Sequence, residues 1–150
     1  MMKQRWPSLQ GDLLSFKDKL YQINFIKCKW KTYFFESLFR RLYWSDWGKE
    51  NPKIESSNLD GSNRTTLISE NIKWPNGVAL DYKRRLLYWV DAGTDKIEYY
   101  NLVDKKRYKL TVGSPHAFGI SVLGDMLYWT DWQQRALFQW NINTKKQEKV

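Results

Sequence analysis

Leu127-Tyr128-Trp129-Thr130-Asp131 repeats Leu87-Tyr88-Trp89-Val90-Asp91, and both repeat Leu42-Tyr43-Trp44-Ser45-Asp46. The tyrosines stand 45 and 40 residues apart, a period that fits a four-stranded propeller blade. The register extends outward from the motif. Pro75 and Pro115 each precede their tyrosine by 13 residues; Asn101 and Asn141 each follow theirs by 13, and Asn58 follows Tyr43 by 15. An aliphatic residue stands four before each asparagine (Ile54, Ile97, Leu137), and another nine after it (Leu67, Leu110, Val150).

The register predicts strands at about 77–81 and 118–122 (first strand of a blade), 42–45, 86–90 and 126–130 (second), 53–58, 96–101 and 135–141 (third), and 64–68, 107–111 and 147–150 (fourth). Their Val, Ile, Leu, Tyr and Trp content suits a pleated, half-buried surface. Asp60-Gly61 and Gly124-Asp125 are tight-turn signals, since glycine tolerates positive φ, and Tyr82-Lys83-Arg84-Arg85 is a looser, charged equivalent. The first copy departs from this pattern: Trp30, not proline, lies 13 before Tyr43, and Lys29-Trp30-Lys31-Thr32-Tyr33-Phe34-Phe35 does not match Pro75-Asn76-Gly77-Val78-Ala79-Leu80-Asp81. Leu9, Leu13, Phe16, Leu20 and Ile23 have helical spacing, while 23–35 reads equally well as strand. The expected organisation is an unassigned basic aromatic segment, 1–41, followed by repeats over 42–150: a partial blade at 42–71 and blades at 72–111 and 112–150. The fold class is all-β, a partial propeller of about two and a half four-stranded blades.

Composition agrees. Of 150 residues, 17% are aromatic, with nine Trp and nine Tyr, too many for a disordered chain. The net charge of +9 is uneven: residues 1–41 hold nine Lys/Arg against three Asp/Glu, and residues 42–150 sixteen against thirteen. The total therefore does not argue for a nucleic-acid partner. Cys28 is the single cysteine, so no intrachain disulfide can form. No apolar run is long enough for a transmembrane helix, and the start of the chain lacks the apolar core of a secretory signal.

Tyr-Trp-X-Asp, with Pro75-Asn76-Gly77-Val78-Ala79-Leu80-Asp81 upstream and Asn58-Leu59-Asp60-Gly61 downstream, resembles the LDL-receptor class B (YWTD) repeat. The resemblance covers about 42–150. It implies a six-bladed propeller of the kind found in the ectodomains of LDL-receptor relatives, in nidogen and in the EGF precursor. Trp74-Pro75-Asn76-Gly77, Pro115-His116-Ala117-Phe118 and Asp131-Trp132 look most like the LDL-receptor-related Wnt co-receptors. Val90 departs from the usual Thr/Ser, Ser121 stands where Asp81 stands one copy earlier, and Val103-Asp104-Lys105 replaces Asp-Gly. Six blades at this period need about 240–270 residues, so the expectation is a piece of a larger receptor.

Tyr43, Trp44, Asp46, Tyr88, Trp89, Asp91, Tyr128, Trp129 and Asp131 are expected to be fold residues, the acids capping the turn after the second strand. Recurring once per blade, they are not a catalytic pair; no enzyme, metal site or cofactor is expected. The start of a blade's first strand lies beside the end of its second. That hairpin geometry gathers Trp74, Asn76 and His116 with Trp47, Ala92 and Trp132 at one mouth, a good peptide-binding patch. By resemblance, Trp74, Asn76, His116 and Trp132 match a ligand-binding face of the Wnt co-receptors; packing between blades is the alternative. The implied partners are secreted proteins or peptides (Wnt-pathway ligands or inhibitors, or lipoproteins), met at the extracellular face of the plasma membrane by the parent receptor. Rival readings are a lipoprotein-type endocytic receptor, a nidogen-like matrix module and a propeller enzyme. Asn63-Arg64-Thr65 is an N-glycosylation sequon.

Overall fold

The computed structural model describes residues 30–36, 41–112, 114 and 116–150. The helical spacing at 9–23, Cys28 and Pro115 lie outside them. Three antiparallel sheets of four strands follow one another along the chain. The first comprises β1 (Trp30–Glu36), β2 (Arg41–Asp46), β3 (Lys53–Asn58) and β4 (Thr65–Ile68). The second comprises β5 (Pro75–Asp81), β6 (Leu86–Asp91), β7 (Lys96–Asn101) and β8 (Lys106–Val112). The third comprises β9 (Ala117–Leu123), β10 (Met126–Asp131), β11 (Ala136–Asn141) and β12 (Gln147–Lys149). Each sheet is a meander in which sequence neighbours pair, and the Tyr-Trp-X-Asp motif occupies the second strand every time.

The first blade has an inner strand after all. Trp30–Glu36 pairs with β2 from Trp30↔Asp46 to Glu36↔Arg41, as β5 and β9 pair with β6 and β10. Strand pairing uses backbone groups that every residue except proline carries in full. The inner strand therefore forms without the Pro-Asn-Gly landmark that marks it in the second copy.

Successive sheets stack through their inner strands, with β5 packed against both β1 and β9. Tyr43, Ile54 and Ile68 of the first sheet bury against Val78, Leu80, Leu87 and Trp89 of the second. One blade later, Tyr88, Val90 and Ile97 bury against Ala117, Leu127, Trp129 and Phe138. Tyr43 and Tyr88, Ile54 and Ile97, Leu87 and Leu127, and Trp89 and Trp129 hold matching register positions in the two interfaces, each large side chain contributing about 1.5–3 kcal/mol by leaving water. Gly77 permits the closest approach: a Cβ there would lie 2.7 Å from the Phe118 carbonyl oxygen of the next sheet.

The motif tryptophans are fully buried, but their covers differ. Arg64 lies 5.3 Å over Trp44 and is anchored by Glu55; Arg107 lies 5.4 Å over Trp89 and is anchored by Glu98. A guanidinium over an indole face gains cation–π attraction. In the third sheet Phe138 holds the glutamate position and stacks on Trp129 at 5.7 Å.

The turns close as glycine and asparagine dictate. Gly61 has φ 81° and Gly124 φ 60°, the left-handed region where glycine pays no steric penalty. On the same edge of the molecule Arg84 reaches from the second sheet to Asp81, Asp125, the Gly124 carbonyl and Asn143. Its ion pairs hold the Asp125 carboxyl below the usual range.

Candidate functional site

At the other end of the strands, where the Tyr-Trp-X-Asp motifs finish, Trp47, Trp74, Asn76, Ala92, His116, Phe118, Thr130 and Trp132 line a concavity of about 570 Å³. All four sequence-predicted site residues lie in it. Trp47 and Ala92, expected beside them, lie there too, and Phe118 and Thr130 are additions. Alternation supplies a signal for both: Phe118 lies two after His116 and Thr130 two before Trp132, and residues two apart share a strand face.

The motif aspartates build this mouth. Asp91, fully buried, accepts backbone N–H bonds from Gly93 (2.9 Å) and Thr94 (3.2 Å) in the turn after β6. It also accepts from Lys73 (2.8 Å) and Trp74 (2.9 Å), in the segment leading into β5. The Trp74 carbonyl in turn accepts from the Ala92 N–H at 3.1 Å. Trp74 is therefore pinned at both ends of its own backbone. Its indole stands 43% exposed, with the Lys73 ammonium 5.0 Å over the ring. Asp131 does the same work by another route: it accepts from the Gln134 N–H at 2.9 Å and from the Ser114 hydroxyl at 3.4 Å, and Ser114 accepts the Trp129 indole N–H at 2.8 Å. Asp46 accepts from Gly48 at 3.0 Å.

Asn76 and His116 each stand 12 residues before their motif tyrosine. Pro75, however, lies opposite Asp91 and Ala117 opposite Asp131, so in the strand ladders Phe118 takes the place of Asn76, and the surroundings of Asn76 and His116 differ. Asn76 is 7% exposed. Its side-chain amide donates to the Ala117 carbonyl at 3.0 Å, and its backbone carbonyl accepts from the Ser45 hydroxyl at 3.3 Å. It forms the floor of the concavity and joins three blades. His116, half-buried in the left-handed region (φ 58°), sets its imidazole 5.3 Å from the Trp132 ring. Trp132 is 68% exposed. The arrangement is an aromatic rim of Trp47, Trp74, Phe118 and Trp132 over one amide and one imidazole. Exposed aromatic faces beside a few fixed polar groups are the usual makings of a peptide-binding surface. Among the described residues no three His, Cys, Asp or Glu side chains are placed to share a metal ion, and no helix is long and apolar enough to cross a membrane.

Asn63 lies away from this mouth, exposed in the left-handed region (φ 51°) just before β4.

Comparison with known proteins places these features in a family. Residues 40–82 match the family model of the low-density lipoprotein receptor repeat class B. That segment runs from just before the second strand of one blade to the first strand of the next, so the sequence repeat and the sheet are out of phase. Human low-density lipoprotein receptor-related protein 5-like protein is 46% identical over 96 residues, 63% of this chain and 38% of its own length. The vitellogenin receptor Yl of Drosophila melanogaster is 36% identical over 97 residues, 64% of this chain and 5% of its own length. A chain in the crystal structure of a nidogen/laminin complex superposes with a TM-score of 0.72 at 35% identity, covering 77% of this chain and 44% of that one. This chain thus spans less than half the length of each of these relatives. Motif register, sheet topology and relatives agree in likening this chain to the low-density lipoprotein receptor class B (YWTD) repeat family, whose model matches residues 40–82.

Proposed function

We propose that this chain is a ligand-binding propeller module of an LDL-receptor-related protein at the extracellular face of the cell, and that Trp74, Asn76, His116 and Trp132 form its recognition surface. The ligand class is a peptide segment of a secreted protein. The observation that carries this reading is the exposure of Trp74 and Trp132 in one concavity. Indoles left in water at a rigid, pre-formed mouth lose little further freedom when a ligand covers them. The resemblance of Trp74-Pro75-Asn76-Gly77 and Asp131-Trp132 to the LDL-receptor-related Wnt co-receptors favours a Wnt-pathway type of ligand over a lipoprotein. A matrix module is the second reading, favoured by the likeness to a chain of the nidogen/laminin complex. The exposed sequon at Asn63 fits either setting, and N-glycosylation there would leave the mouth clear.

The test is to pan a display library of short peptides against the full chain and measure the selected peptides on variants. Trp132→Ala should weaken binding by about 2 kcal/mol, roughly thirtyfold, as an exposed aromatic anchor does. Trp74→Ala should act similarly, and Val103→Ala, at the far end of the strands, should change nothing. Selected peptides indifferent to both tryptophans would remove the site.

A further inference from the structure

A second surface lies at the opposite end and on the outer rim of the second and third blades. We infer that it binds a linear sulfated polysaccharide. The carrying observation is a repeat within the repeat. Lys105, Lys106 and Lys109 stand 17, 18 and 21 residues after Tyr88; Lys145, Lys146 and Lys149 stand at the same offsets after Tyr128. All six are exposed.

The two turns that carry them have one geometry. Asn101 Oδ1 accepts from the Val103 and Asp104 N–H groups at 2.8 and 3.4 Å; Asn141 Oδ1 accepts from the Asn143 and Thr144 N–H groups at 3.0 and 2.9 Å. Lys105 N–H donates to the Asn101 carbonyl at 2.9 Å, and Lys145 N–H to the Asn141 carbonyl at 2.8 Å. Lys105 and Lys145 share φ 57°. Each lysine pair thus leaves a closed, asparagine-capped turn in the same direction. The β5–β6 turn links the two: Arg84 reaches Asn143 in the third blade's turn, and the Arg85 carbonyl accepts from the Leu102 N–H in the second blade's turn at 2.9 Å.

Lysines on outer strands also serve to block edge pairing. That explanation predicts them on every outer strand, yet the first blade has Ser62, Asn63 and Thr66 at the aligned places. The described ion pairs are Lys53 and Arg64 with Glu55, Arg84 with Asp81 and Asp125, and Arg107 with Glu98. None uses any of the six lysines. Asp104 and Glu148 lie among them and hydrogen-bond neutral side chains, Tyr108 and Gln139, while Glu98, opposite Lys109 in the ladder, is engaged by Arg107. The rim is a concentrated positive stripe on blades of modest net charge, the pattern that attracts a polyanion by displacing its counterions. Two exposed lysine groups at matching positions of successive blades suit a chain-like polyanion. Sulfated chains are the polyanions a module at the cell exterior meets, so the choice of partner rests on the extracellular reading above.

Heparin is the probe. The full chain should bind it with an affinity that falls steeply with sodium chloride. The variant Lys105→Gln, Lys106→Gln, Lys145→Gln, Lys146→Gln should bind about tenfold more weakly at physiological salt and with a shallower salt slope, while its thermal transition stays unchanged. Trp132→Ala should bind heparin normally, which separates this surface from the aromatic mouth. Lys17→Gln, Lys19→Gln, Lys27→Gln, Lys29→Gln serves as a charge-matched control. If that control loses heparin while the rim variant keeps it, the inference is overturned. It is also overturned if vesicles of phosphatidylcholine and phosphatidylserine bind the chain through the rim lysines while heparin does not.

Discussion

The side-chain amide of Asn76 donates to the Ala117 carbonyl at 3.0 Å, tying the inner strand of the second blade to that of the third beneath the aromatic mouth. The bond makes Asn76 a structural residue whatever it does for a ligand. Asn76→Ala leaves a buried carbonyl without this donor and should cost about 1–3 kcal/mol. Trp132→Ala, at a largely exposed site, should stay within about 0.5 kcal/mol of the parent. Urea titration of the two variants checks the contrast.

Asp91 gathers four backbone N–H groups from two segments. Removing its carboxylate strands buried donors on both sides of the mouth. Asp91→Ala should destabilise by about 3 kcal/mol or more. Amide exchange at Lys73 and Trp74 should accelerate together with that at Gly93 and Thr94, since one acceptor serves them all. Independent behaviour of the two segments would show that Asp91 does not couple them.

Gly77 sits where a Cβ would meet the Phe118 carbonyl oxygen and the Ile120 backbone nitrogen. Neither is the end of a flexible side chain, so the blades themselves have to part. Gly77→Ala should destabilise by about 1–3 kcal/mol, measured by thermal or urea unfolding, despite the better intrinsic strand-forming tendency of alanine.

Tyr88 is buried in the interface between the second and third blades, and that burial, with Asp81 nearby, pushes its phenol up to about 12 from an ordinary value of 10.0. The folded state therefore holds the proton more tightly than the unfolded chain. The corresponding stability is complete below pH 10.0 and is lost as pH rises from there through about 12. Across that window the loss is on the order of 2–3 kcal/mol. Tyr88→Phe should lose less stability than the parent over the same window in a series of thermal melts at increasing pH. Equal losses would mean that Tyr88 is not the group responsible.

Much of this architecture was legible in the sequence because each blade uses the same register. The spacing from Tyr88 to Pro75, Ile97, Asn101 and Leu110 located β5 to β8, and the same offsets from Tyr128 located β9 to β12. β1 was not legible. Trp30–Glu36 carries no proline or Asn-Gly landmark, and its backbone pairing leaves no sequence trace of its own. At the mouth, hairpin geometry brought Trp74, His116 and Trp132 together, since the end of one strand lies beside the start of its neighbour. The burial of Asn76 was not legible, because it depends on a carbonyl 41 residues away in the next blade. Phe118 was missed because the β9–β10 turn is two residues shorter than the β5–β6 turn: Ile120, not Phe118, lies opposite its motif tryptophan as Val78 does, and Phe118 moves to the mouth. The second role of Asp91, holding the approach to β5, likewise arises from tertiary contact across 17 and 18 residues.

The central claim, that the aromatic concavity is the recognition surface, is tested most directly by indole N–H resonances. The full chain is titrated with a library-selected peptide, and each tryptophan is assigned by single substitution. The account predicts shifts at Trp74 and Trp132, smaller ones at Trp47, and none at the buried Trp89 and Trp129. Unmoved Trp74 and Trp132 resonances at saturating peptide would contradict it.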